Sequence, residues 1–259
     1  MAEKNGADAA KEQTKKAAAY IWVRPKAIPI DEARFEFVRN NLISTFYHEL
    51  AHALIDIMDL PVLGLEESAA DNFSVVMVNK MFGAEEFLAI NSSAARGYKI
   101  DADDIISKGR NWDWADEHGT EMQRYYNIVC LTYGADPEAY DDFSQRMGLP
   151  EERADTCQDE FEQANNSWHR AIKPIETQKP ENTVKYRHKT RTQLHVRAAQ
   201  VIEAEVNRVN KTFDLPEELR VRIKPCLRGT RFLAYYSNQR NKITICTNYI
   251  DDIYRDALK

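Results

Sequence analysis

The run from residue 33 to residue 58 constrains the fold more than any other part of the chain. Phe35, Val38, Leu42, Phe46, Leu50, Leu54 and Ile57 recur at steps of three and four, the period of one helix face. A helix with such an apolar stripe needs other elements packed along it. Within it, "FYHELAHALID" sets His48, Glu49 and His52 in an H-E-x-x-H frame. Residues four apart share a helix face, so both imidazoles can reach one metal ion, with Glu49 about 100° round the axis. With only 6 histidines in the chain, chance gives this frame in roughly one such sequence in a hundred, so it counts as signal.

Proline and glycine in "DLPVLG" (59–64) end this helix. A second is predicted from Glu66 to Met81, with Phe73, Val76 and Met77 on its apolar side. A third is predicted from near Asp116 to Gly134, with that glycine as a C-cap. "DPEAYDDFSQRMG" and "PEERADTCQDEFEQANNSWHRAI" read as two more, each opened by an early proline. "KPIETQKPENT" (173–183) is a polar connector without periodicity.

Beyond the connector the texture changes. "VKYRHK" reads as a strand and "TQLHVRAAQVIEAEVNRVNKTF" as a helix. "LRVRIKPC" and "FLAYYSNQRNKITIC" carry β-type patterns, with "SNQRN" as a hairpin turn. The predicted organisation is a leader over 1–30, a helical core over 31–172, a linker over 173–183 and a small α+β module over 184–259 completing the same domain. The fold class is α+β and mostly α-helical, with a strand-containing hairpin module packed on the helical metal-site region. At 259 residues and 43% hydrophobic content, the chain can bury a substantial core.

Composition excludes some partners. A net charge of −6 argues against nucleic acid. No apolar run approaches the ~20 residues of a membrane span. The leader "MAEKNGADAAKEQTKKAAA" lacks the apolar centre of a signal peptide.

A catalytic zinc ion needs a third protein ligand and an open position. "EESAAD" offers Glu67 as that ligand and, one turn later, Asp71 as a hydrogen-bond partner for the other ring nitrogen of His48. Glu66 points elsewhere on the helix and lacks an acidic residue at i+4. Asp56 lies one turn (about 6 Å) past His52, and is read as a partner for His52 or a solvated charge. The implied chemistry is hydrolysis: the ion lowers the pKa of its water and Glu49 takes the proton. "DEHGTEMQRYYN" (116–127) is the place to look for an oxyanion donor, with His118 first and Tyr126 or Arg124 behind it.

Four cysteines remain, Cys130, Cys157, Cys226 and Cys246, none in a C-x-x-C pair. Spacing does not choose between buried thiols and two disulfides.

Three blocks, "HELAHALIDIMDLPVLGLEESAAD", "DEHGTEMQRYYNIVCLTYGADPEAY" and "LPEERADTCQDEFEQANNSW", closely resemble a bacterial metallopeptidase family of unknown function. Its H-E-x-x-H plus E-x-x-x-D layout is similar to the gluzincins, the thermolysin-like zinc peptidases. The resemblance implies a zincin-like core with His48, His52 and Glu67 as zinc ligands and Asp71 supporting His48. The interval from His52 to Glu67 is shorter than in thermolysin. The family also has a module resembling "LPEELRVRIKPCLRGTRFLAYYSNQRNKITICTNYI", there placed before the zinc helix. The resemblance therefore implies a circularly permuted order, joined through "KPIETQKPENT" and opened between the Tyr254 region and the helix near Asp31. It further implies the pairs Cys130–Cys157 and Cys226–Cys246 and an exported protein, periplasmic or secreted. The function so predicted is a zinc metallopeptidase acting on a peptide or protein. The alternative is a zinc-binding, peptidase-like interaction module without useful turnover. Glu49 separates them, because a degenerate site commonly loses its base first.

Overall fold

Asp31 starts the central helix by accepting a hydrogen bond from the Arg34 amide at 2.9 Å. From there α1 (Glu32–Ile57) runs through the middle of the molecule, burying Val38, Leu42, Phe46, Leu50 and Leu54. The computed structural model describes residues 29–177, 179, 181–227 and 233–259; nearly all of the leader predicted over 1–30 lies outside them. The turn after α1 reverses the chain into α2 (Glu66–Met81), which packs back across α1.

Next comes α3 (Ala84–Ser107), a 24-residue helix that the sequence reading did not identify. It buries Ala94, Ala95 and Ala102 beside Phe87 and Ile90, and small residues leave little hydrophobic period to read. The helix predicted from Asp116 starts later, as α4 (Glu121–Gly134), where Thr120 and Gln123 form a reciprocal capping box. Gly134 is its last helical residue, and the cap is Ala135 in ordinary helical backbone. After α5 (Asp141–Arg146), the single helix predicted from Pro150 is split into α6 (Glu151–Ala154) and α7 (Cys157–Ile172). The Cys130–Cys157 disulfide ties α4 to the start of α7.

The sheet follows: β1 (Val184–His188), α8 (Gln193–Thr212), β2 (Leu219–Lys224), β3 (Ala234–Ser237) and β4 (Lys242–Cys246), then α9 (Thr247–Asp256). Strand order is β1-β2-β4-β3. β1, β2 and β4 run parallel, and β3 pairs antiparallel with β4. The predicted hairpin turn is a single 3-10 turn ending at Asn241, whose φ of 42° suits a short polar residue. The inner sheet face (Leu219, Val221, Ile223, Ile243, Ile245) joins the helices in one continuous core. Thus the fold is α+β and mostly helical, and its sheet brings β3 against α1 beside the histidines.

Candidate metal centre

Helical spacing on α1 and the crossing of α2 bring three donors together. His48 Nε2 lies 3.1 Å from Glu67 Oε2, and His52 Nε2 lies 3.4 Å from Glu67 Oε1. The two Nε2 atoms are 3.2 Å apart. From the loop before α4, His118 Nε2 reaches Glu67 Oε2 at 2.9 Å.

Each ring has its other nitrogen committed to a carboxylate. Nδ1 of His48 meets Asp71 at 2.9 Å, that of His52 meets Glu66 at 2.7 Å, and that of His118 meets Asp116 at 2.8 Å. An Nδ1–H donating to a carboxylate leaves the Nε2 lone pair aimed inward, the tautomer a metal ligand needs. Glu67 Oε2 is buried without a properly angled hydrogen bond despite the nitrogens around it. A tetrahedral ion with bonds of about 2.0–2.1 Å spaces its ligands about 3.3 Å apart, which the separations of 3.1–3.4 Å between the histidines and Glu67 match. By this test His48, His52 and Glu67 fit a divalent ion. Glu67, Glu117 and His118 form a second, overlapping group of potential ligands.

Charge is arranged to suit. Burial opposes ionisation of Glu67, but the imidazoles of His118, His48 and His52 close around it outweigh burial and hold the carboxyl far below the usual range. Burial likewise opposes ionisation of Asp71, and Arg124 and His48 overcome it. Burial also opposes protonation of His52, yet Glu67 and Glu66 bring its pKa up to about 9. Glu49 behaves differently. It is 6% exposed, and burial lifts its carboxyl above the ordinary value, partly offset by His48, His52 and the Tyr236 amide.

Other residues fall differently from expectation. His52 takes Glu66 as its partner, because the return of α2 brings the first turn alongside that ring. Asp56 instead accepts the Tyr236 hydroxyl at 2.6 Å. Arg124 is held by Asp71 in two hydrogen bonds (2.6 and 2.8 Å) and lies over the Tyr98 ring, so its guanidinium is not turned to the cleft. Tyr126 lines a neighbouring groove with Leu65, Met122 and Asn127. The cleft itself, about 590 Å³, also includes Glu117, Tyr235 and Tyr236. Sequence reasoning passed over these three and Asp116; for Asp116 a carboxylate two residues before His118 was a usable signal.

A metallopeptidase family model, described as "Putative metallopeptidase", matches residues 7–172. The chain belongs to this family. The match takes in α1 to α7 and ends with α7, before the connector and the sheet. Neither a curated protein nor a solved structure matches the chain. Membership in a metallopeptidase family implies a metal ion and a peptide or protein substrate, in keeping with the donor set on α1 and α2.

Proposed function

We propose that this cleft hydrolyses peptide bonds in the gluzincin manner, with zinc held by His48, His52 and Glu67. One observation carries the reading: three Nδ1 atoms are committed to carboxylates while their Nε2 atoms converge on Glu67. Zinc would supply a polarised carbonyl and a more acidic water. Two imidazoles and one carboxylate also suit other divalent ions; zinc is preferred because three such ligands with an open position are the donor set of catalytic zinc sites.

Glu49 is the general base. Its carboxylate is buried beside the donors, and its raised pKa makes it a better proton acceptor than a solvated glutamate. The proton it accepts passes to the leaving amine. His118 is the donor to the oxygen on which charge develops. Glu67 and Asp116 favour its protonated form, and its Nε2 stands at the edge of the donor set.

β3 suits a peptide. Because Cys246 N–H bonds Leu233 C=O, alternation along the antiparallel pair turns the main-chain groups of Ala234 and Tyr236 to the open edge. The Tyr236 amide is on Glu49, and Ala234 is left to pair with an extended substrate.

A peptide-library cleavage screen tests the reading. Zinc-loaded parent should cleave, and Glu49→Gln should lose roughly 10²–10⁴-fold in rate with unchanged zinc content. Zinc bound by both without cleavage by either would transfer the site to the interaction-module reading. Equal cleavage by both would remove Glu49 as the base.

A further inference from the structure

The outer face of the sheet carries a charge pattern that the cleft does not use. Side chains alternate along each strand, and the parity facing away from the core holds Lys185 and Arg187 on β1, Arg220, Arg222 and Lys224 on β2, and Lys242 on β4. On β4 the same row continues into the buried Thr244 and Cys246, so the open face spans β1, β2 and the start of β4. The register sets Lys185 opposite Arg220, Arg220 opposite Lys242, and Arg187 opposite Arg222. Like charges directly across a ladder are destabilising. Glu218 pairs with Arg220 at 3.0 Å. The other five make no ion pair among the described residues. Partial burial pushes the Lys242 ammonium below the usual lysine range, and Arg240, Lys224, Arg222 and Arg220 push it further.

Lysines on an edge strand guard against edge-to-edge pairing, which accounts for β1. It does not account for β2 and β4, which lie inside the sheet. In a chain of net charge −6, this face runs against the sign of the whole. Beyond Lys224, Leu227 is 85% exposed, and the neighbouring Cys226 is tied to the end of β4 through Cys246.

We propose that this face docks on the surface of an anionic phospholipid membrane. The cations form a two-dimensional array, with strands about 4.8 Å apart and same-face residues about 7 Å apart. That array meets many headgroup phosphates at once, and Leu227 at its rim enters the interface. Nucleic acid would use the same phosphate contacts, and the net charge of −6 disfavours it against a membrane that meets only this face. Two disulfides fit an oxidising compartment outside the cytosol. No helix among the described residues is long and apolar enough to cross a membrane, so the contact is peripheral. The inference is independent of the metallopeptidase reading.

Co-sedimentation of the intact, oxidised protein with vesicles tests it. Retention is expected on phosphatidylcholine vesicles containing phosphatidylglycerol, not on phosphatidylcholine alone, and should fall as salt is raised. Arg222→Gln and Lys242→Gln should each weaken it about fivefold, with the melting temperature confirming the fold. Arg146→Gln, on α5, should leave it unchanged. Leu227→Ser should weaken it without altering its salt dependence. Absence of retention at low salt, equal retention on neutral vesicles, or parent-like binding by both neutralised variants would overturn the proposal. Tighter binding to duplex DNA than to the anionic vesicles would also overturn it, assigning the face to nucleic acid.

Discussion

Asp71 shows how closely residue chemistry and helix geometry are coupled here. One carboxylate receives His48 Nδ1 and the guanidinium of Arg124. The i, i+4 relation of Glu67 to Asp71, and of His48 to His52, was legible because a helix turns four-residue spacing into one face. The roles of Glu66 and Tyr236 were not legible, since each depends on where a second element crosses. The same carboxylates set a pH dependence. The metal-free His52 has its pKa raised from 6.5 to about 9 by Glu67 and Glu66 against burial. Its ion-paired stabilisation is therefore fully present below 6.5 and lost as pH rises through about 9. An arriving ion must displace that proton and any held by His48, whose pKa Asp71 and Glu67 also raise against burial. Zinc affinity should therefore rise at least tenfold per pH unit through neutral pH and level off above about 9. Competition with a chelator of known affinity at successive pH values measures this; a flat profile through neutral pH would contradict it.

At the scale of elements, the long, strongly patterned helices were readable and those that pack through small residues were not. α1 announces itself because large apolar side chains repeat along it. α3 hides because alanines do much of its packing. Gly134 illustrates a second kind of illegibility. Glycine near a helix end suggests a C-cap, but an added Cβ there would lie 2.0 Å from the Cys157 carbonyl oxygen. Its work is to let α4 and the start of α7 approach, where Cys130–Cys157 also crosses. Gly134→Ala should therefore cost about 3 kcal/mol or more, the upper end for overpacking against backbone. Gly64→Ala, which meets nothing within 4 Å, should stay within about 0.5 kcal/mol. Denaturant midpoints of the two variants check the contrast, and equal midpoints would contradict it.

Over the whole molecule, the fold class and the division of texture near residue 173 were visible in composition and periodicity, whereas the mixed, largely parallel sheet was not. Parallel pairing is set by crossovers that no local pattern encodes. The permuted order implied by the family resemblance stays our proposal, supported by two contacts: the Asp31 amide donates to the Tyr254 hydroxyl at 3.0 Å, and Arg34 lies over the Tyr254 ring. A chain in which α9 is joined to Asp31 by a short linker and reopened between 177 and 181 should fold with parent-like melting and metal uptake; loss of cooperative unfolding would count against it. The metal centre governs what the whole molecule can do. Its most direct measurement is elemental analysis of purified protein beside Glu67→Ala. One zinc per chain is expected in the parent, with clear loss in the variant. No uptake on adding zinc, or equal uptake by both, would contradict it.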